Sequence, residues 1–363
     1  MRLTISLALL FVLIFATLIL PDLFSQEKLI EASFYSKLEN KSVQCQLCPR
    51  RCFIKDGKRG FCGVRENRNG SLYTLVYAKA VAIHIDPIEK KPLFHFFPST
   101  TAYSVATAGC NLKCKFCQNW EISQSLPEDV EYRFMEPEDL VKEAKASNAP
   151  TIAYTYNEPT IFYEYMLDTA KLARKLGIKN IMHSNGYINE QPLRSLAKYL
   201  DAANIDLKGF SDDYYAKLSE GSLSPVLRSL KVLKDEGVHI EITTLLLSGF
   251  NDDEPTLRKM CLWIKDNLGS DTPLHFSRFF PMYKLTSLNP TPVESLLQAR
   301  KIALSCGLRY VYIGNIATDQ AENTYCPKCS KLLIERRGYF IVSNNLKEGR
   351  CKFCGEKISG VWN

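Results

Sequence analysis

The chain has 363 residues, 46% of them hydrophobic, 23% charged and 11% aromatic, which excludes a disordered polymer, a collagen-like repeat and a bundle of membrane helices. Its 46 Lys and Arg against 39 Asp and Glu give a net charge of +7, which suits nucleic acid, anionic lipid or an acidic redox protein and selects none of them. The 13 cysteines are grouped, with four at 45–62, three at 110–117, four at 326–354 and two elsewhere, and such grouping signals metal.

Leu3 to Leu20 is an uncharged apolar run of 18 residues, about 27 Å long as a helix against a hydrocarbon core of about 30 Å. It reads as a membrane anchor, with a cleaved signal or a mis-assigned start as the alternatives. Arg2 before the run and Asp22, Glu27, Lys28 and Glu31 after it weakly favour export of the remainder, whereas the chemistry below favours the cytoplasm.

Residues 29–100 follow as a Cys-rich head with basic and Gly-rich turns (KDGKRG, RENRNG) and an alternating stretch, LYTLVYAKAVAIHI, that reads as strand. From 101 to 320 the pattern changes. Apolar segments SVATAG, TIAYTY, KNIMHS, AANIDL, HIEITTLLL and LHFSRFF alternate with amphipathic helix candidates. Six strand–helix units whose strands are apolar throughout predict a parallel sheet, in the form of a partial (βα)6 TIM-type barrel. A last helix (PVESLLQARKIALSCG) and a short strand (RYVYIG) complete this region, and residues 321–363 form a four-Cys tail.

Cys110, Cys114 and Cys117 lie in AGCNLKCKFCQNW, a C-x3-C-x2-C spacing directly after the first central strand, at the end where barrel enzymes place their chemistry. Three soft thiolates fit three irons of a [4Fe-4S] cubane and leave the fourth without a protein ligand. A zinc site borrowing a fourth ligand is the competing reading.

This motif in this context resembles the radical S-adenosylmethionine superfamily, and the wider set QCQLCPRRC, DPIEKKPLFHFFP, YTYNEPT, SNGYI, NIDLKGF, HFSRFFPMYK and VYIGN resembles the AmmeMemoRadiSam enzymes, relatives of pyruvate formate-lyase activating enzymes. The resemblance runs from about Glu31 to Asn363. It implies that the unique iron binds S-adenosylmethionine and that one electron cleaves the cofactor to a 5′-deoxyadenosyl radical. It also implies roles for residues at the strand ends. Asn157 and Glu158 stand where relatives carry a Gly-Gly-Glu turn for the methionyl amine, with Tyr156 and Asn157 in place of the glycines. His183 and Asn185 stand at a second cofactor contact, His183 replacing an acid. Asp206 and Lys208, alternate residues of one strand and so on one face, are expected to hold the cofactor's carboxylate and ribose. The bland readings are a helix-start role for Glu158, a core histidine at 183 and mutual pairing of Asp206 with Lys208.

Cys326, Cys329, Cys351 and Cys354 flank a predicted hairpin (KLLIERRGYFIV) with zinc-ribbon spacing. Cys45, Cys48, Cys52 and Cys62 form a second four-thiolate set that spacing assigns either to zinc or to an auxiliary iron–sulfur cluster, leaning to zinc. Cys261 and Cys306 lie on apolar helix faces and read as core.

The expected activity is reductive cleavage of S-adenosylmethionine for hydrogen abstraction from an unidentified substrate, an oxidoreductase of the activating-enzyme type. The alternatives are activation of a glycyl radical enzyme, with a protein as substrate, and a zinc-ribbon module binding nucleic acid or protein. A ferredoxin or flavodoxin electron donor and proteins of the AmmeMemo system are the implied partners. No basic and aromatic nucleic-acid motif is present. The expected location is a cytoplasmic catalytic region tethered through residues 3–20, or the cytoplasm without a tether.

Overall fold

The computed structural model describes residues 29–316 and 321–362. The hydrophobic leader, with the anchor expected at residues 3–20, lies outside them. Among the described residues no helix is long and apolar enough to cross a membrane.

An eight-stranded sheet organises the chain. β1 (Ala82–Pro87) pairs antiparallel with β2 (Thr101–Ala106). Parallel to β2 and each beside its predecessor follow β3 (Thr151–Tyr154), β4 (Lys179–Ser184), β5 (Ala202–Asp206), β6 (His239–Leu246), β7 (Leu274–Arg278) and β8 (Val311–Gly314). The order ends at β1 on one side and β8 on the other, so the barrel is open, as the alternation of six strand–helix units predicts. β3 is buried at all four positions and β2 at five of six. Helices cover the outer face and side chains fill the inner one, which is why these strands lack a polar alternation.

The crossovers are α1 (Pro137–Ala146), α2 (Tyr163–Lys175), α3 (Glu190–Ala197), α4 (Asp212–Ser219), α5 (Leu223–Asp235), α6 (Glu254–Leu268) and α7 (Val293–Ser305). In α6 the buried residues Leu257, Met260, Cys261, Ile264 and Leu268 recur at helical spacing and give a single apolar stripe. Asp253 caps its start by accepting a bond from the Thr256 amide at 2.9 Å. Cys261 and Cys306 are both buried in the core.

In the head, the alternating stretch is not one strand. It divides into Ser71–Thr74, Lys79–Ala80 and β1, with Ala78 at φ +60° between the first two. Lys79–Ala80 is drawn off to pair with Arg133–Phe134, so alternation persists through a bend that residue type alone does not reveal.

The tail forms the expected hairpin from β9 (Leu332–Arg337) and β10 (Phe340–Asn344) and is zinc-ribbon-like. It is fastened to the barrel by Arg336, which is 1% exposed. The guanidinium donates to the carbonyls of Glu322 and Phe94, each at 2.9 Å, and to Thr324 at 2.8 Å, and stacks over the Phe94 ring. The segment after β1 closes the N-terminal end of the barrel. Leu93 and Phe96 pack there with Ala102, Ile181 and Ala202, and Asn204 donates to the Pro92 carbonyl at 2.7 Å.

Candidate active site

The C-terminal strand ends open into a cavity of about 960 Å³. Cys110, Cys114 and Cys117 lie on its wall, and Asn157, Glu158, His183, Asn185, Asp206 and Lys208 line the same space. The structure thus brings every residue expected at the cluster and the cofactor to one site.

The loop after β2 is held by its own sequence. Asn157 donates to the carbonyls of Thr107 and Gly109 at 2.6 and 3.0 Å. Gly109 has φ +91°, and a Cβ there would lie 2.6 Å from Val64 Cγ1 and 2.9 Å from the Cys62 carbonyl oxygen, so only glycine fits. Cys110 and Cys114 are buried, and burial pushes both thiols up. Buried sulfurs of this kind ionise when a cation displaces the proton. The Leu112 amide donates to Cys110 Sγ at 3.4 Å, Asn185 Nδ2 lies 3.9 Å from the same sulfur, and Ser123 Oγ lies 3.1 Å from Cys117 Sγ. A one-sided set of three thiols beside a large cavity fits a cluster with one free corner.

Opposite the thiols, Asp206 lies 2.8 Å from Lys208 Nζ and 2.9 Å from His183 Nε2. Burial alone would raise the Asp206 carboxyl, but the Lys208 ammonium and His183 hold it well below the usual carboxylate range. Burial alone would lower Lys208, but the Asp206 carboxylate keeps it above its ordinary value. The expected pairing of these two residues is present, and the pair faces the cavity with His183 added to it.

Glu158 is 1% exposed. Its carboxylate accepts bonds from the Thr160 amide (2.9 Å), Ser184 Oγ (2.7 Å) and the Asn185 amide (2.8 Å). The geometry therefore shows the helix-start role, extended to fixing the end of β4. Tyr156, standing in the place of a glycine, has φ +69°, the left-handed conformation that glycine adopts without strain. Its hydroxyl is held by Asp86 and its ring lies 4.3 Å from Lys91 Nζ. These contacts fix a backbone conformation that costs a bulky residue roughly 1–3 kcal/mol.

Other residues reach the cavity from sequence-distant segments. Glu89, Lys90 and Lys91 of DPIEKKPLFHFFP line it, and so do Thr243, His275, Glu322, Arg337 and Tyr339. Thr243 and His275 alternate inward on β6 and β7, a signal visible in the strand period. The tail residues carry no such signal, because they arrive by the folding-back of the hairpin. Arg278, at the end of β7, donates to the Thr291 carbonyl at 2.8 Å.

In the tail, Cys326 and Cys354 Sγ are 3.6 Å apart and Cys329 and Cys351 Sγ 3.7 Å apart. Sulfurs about 2.3 Å from one tetrahedral ion stand about 3.8 Å from each other, so this set could hold a single metal ion.

A barrel with three thiols, two of them buried, at the end of its first parallel strand fits a metal-cluster enzyme of the open-coordination type. Comparisons with known proteins narrow that class. Residues 104–261 match the family described as the Radical SAM superfamily. Over 333 residues the chain is 50% identical to an uncharacterized protein of Methanocaldococcus jannaschii, covering 91% of this chain and 99% of that one. A GTP 3′,8-cyclase of Pelotomaculum thermopropionicum is 26% identical over 256 residues, 64% of this chain and 77% of that one. Among solved structures, a domain of pyruvate-formate lyase-activating enzyme from Bacteroides vulgatus aligns with a TM-score of 0.39 at 16% identity, over 45% of this chain and 98% of that one. The chain belongs to the radical SAM superfamily. The family implies a [4Fe-4S] cluster and S-adenosylmethionine.

Proposed function

We propose that Cys110, Cys114 and Cys117 carry the cluster and that the chain cleaves S-adenosylmethionine reductively to abstract hydrogen from a substrate held in the same cavity. The observation that carries this reading is the convergence of three thiols and the Asp206–Lys208–His183 group on one cavity. When bound, the cluster and the sulfonium nucleoside supply a one-electron cleavage to a 5′-deoxyadenosyl radical.

The protein's own part is positioning. Lys208 offers a cation to a carboxylate and Asp206 an acceptor to a hydroxyl or amine, each pre-oriented by the other. Glu158 acts through Ser184 and Asn185, whose backbone and side chain it holds beside Cys110, so we assign it a positioning role rather than contact with the cofactor amine. The hairpin residues Arg337 and Tyr339 form a roof that limits water in the cavity. The reductant is a low-potential one-electron carrier. The chain's excess of basic residues would steer an acidic carrier of the ferredoxin or flavodoxin kind. An oxygen-sensitive cluster and reduced thiols need a reducing compartment, which favours the cytoplasmic side for the barrel.

The test is anaerobic reconstitution of the full chain with iron and sulfide, reduction, and measurement of 5′-deoxyadenosine released from S-adenosylmethionine. Release by the native chain and its loss in Cys114→Ser are the expected results. Equal release by the variant overturns the reading.

A further inference from the structure

The two outer cysteine sets have four thiols each, yet their geometry differs. Among the described residues, Cys326, Cys329, Cys351 and Cys354 are the one set of three or more ligand side chains whose donor atoms lie mutually within 4.8 Å. No three of Cys45, Cys48, Cys52 and Cys62 meet that condition. The limit has a physical meaning, because two sulfurs bound to one ion at about 2.3 Å cannot stand more than about 4.6 Å apart. The tail set is thus dimensioned for one ion and the head set is not. Cys110, Cys114 and Cys117 share the spread arrangement, and theirs is the site to which the superfamily assigns a cubane.

The head thiols nevertheless face one another. All four line a single narrow cavity, which Arg65 and Asn111 complete. Arg65 is 1% exposed. Its Nη2 is ion-paired with the buried Glu164 at the start of α2, its Nη1 donates to the Ser33 carbonyl at 3.0 Å and to Cys45 Sγ at 3.4 Å, and its Nε is buried without a hydrogen-bond partner. The Phe61 amide donates to Cys52 Sγ at 3.4 Å. Hydrogen bonds from amides and cations to sulfur stabilise the negative charge of a thiolate-bound cluster and tune its potential.

We infer that Cys45, Cys48, Cys52 and Cys62 hold a polynuclear iron–sulfur cluster, saturated by four thiolates, rather than a zinc ion. It stands back to back with the barrel site. Asn111, next to Cys110 in sequence, lines the head cavity, and Gly109 abuts the Cys62 carbonyl.

The experiment uses the full chain carrying Cys110→Ala, Cys114→Ala and Cys117→Ala together, reconstituted anaerobically and analysed for iron, acid-labile sulfide and zinc. Retention of about two or four irons with matching sulfide, and an electron paramagnetic resonance signal on reduction that S-adenosylmethionine leaves unchanged, are expected. Zinc or sulfide-free iron in the head overturns the inference. Should the triple variant not fold, Cys48→Ser with Cys52→Ser in the otherwise native chain decides it. A loss of iron and sulfide from the native content supports the inference, and an unchanged content overturns it. Failure of the barrel reading appears separately, as equal iron and sulfide in the native chain and the triple variant.

Discussion

Both ends of this barrel hold a carboxylate against basic side chains that include histidine, and they use it oppositely. At the N-terminal end Glu241 is completely buried and accepts four bonds. Two come from the amides of Phe94 (3.0 Å) and His95 (2.7 Å), and the others from His239 (3.1 Å) and His275 (2.7 Å). Every lone-pair direction is taken by the protein, and the group locks the plug after β1 to β6 and β7. At the other end Asp206 meets Lys208 and His183 with a quarter of its side chain still exposed, and the remaining direction opens on the cavity. Chemically similar clusters become structural or available for binding according to whether their hydrogen-bonding capacity is closed by the fold.

The largest test of that contrast is Glu241→Ala. It strands two amides and two imidazoles in the interior and is expected to destabilise the chain by about 3–5 kcal/mol, read as a shift in denaturant midpoint. A loss below about 1 kcal/mol would break the comparison. Next, Asp206→Asn is expected to cost less stability than Glu241→Ala, because its partners border the cavity, and to lower 5′-deoxyadenosine formation on the order of 100-fold. A variant that unfolds but keeps its rate when folded would reverse the roles of the two ends.

A further effect, spread over several pH units, is a pH slope. His95 lies between the Ser359 carbonyl and the Tyr312 hydroxyl, each at 2.6 Å. Burial lowers its pKa from 6.5 to about 4. Between those values the unfolded chain binds a proton that the folded chain refuses, so stability falls as pH drops through the window, by up to about 1.4 kcal/mol per unit. His95→Gln is expected to flatten the slope between pH 6.5 and 4 in urea titrations. An unchanged slope would assign it to other groups.

The barrel was legible because its strands are apolar throughout and alternate with striped helices, a pattern set by burial on both sides. The thiol trio and the inward pair 206/208 were legible because ligand spacing and strand period are local properties. Glu158 shows the limit of such reasoning. Its type suits an amine, but which donors satisfy it depends on β4, 26 residues onward in the chain. The bend at Ala78 and the approach of Arg337 and Tyr339 to the cavity were hidden for the same reason, since both arise from pairing between distant segments. Spacing could not separate the two four-thiol sets, whereas among the described residues the mutual approach of the sulfurs singles out the tail set.

The burial of Arg336 has a consequence for turnover. Raising the β9–β10 hairpin would expose a guanidinium that holds three acceptors and an aromatic face, a penalty of several kcal/mol. Arg337 and Tyr339, which follow Arg336 in the chain and line the cavity, are therefore held in a fixed position beside the space that a substrate would occupy.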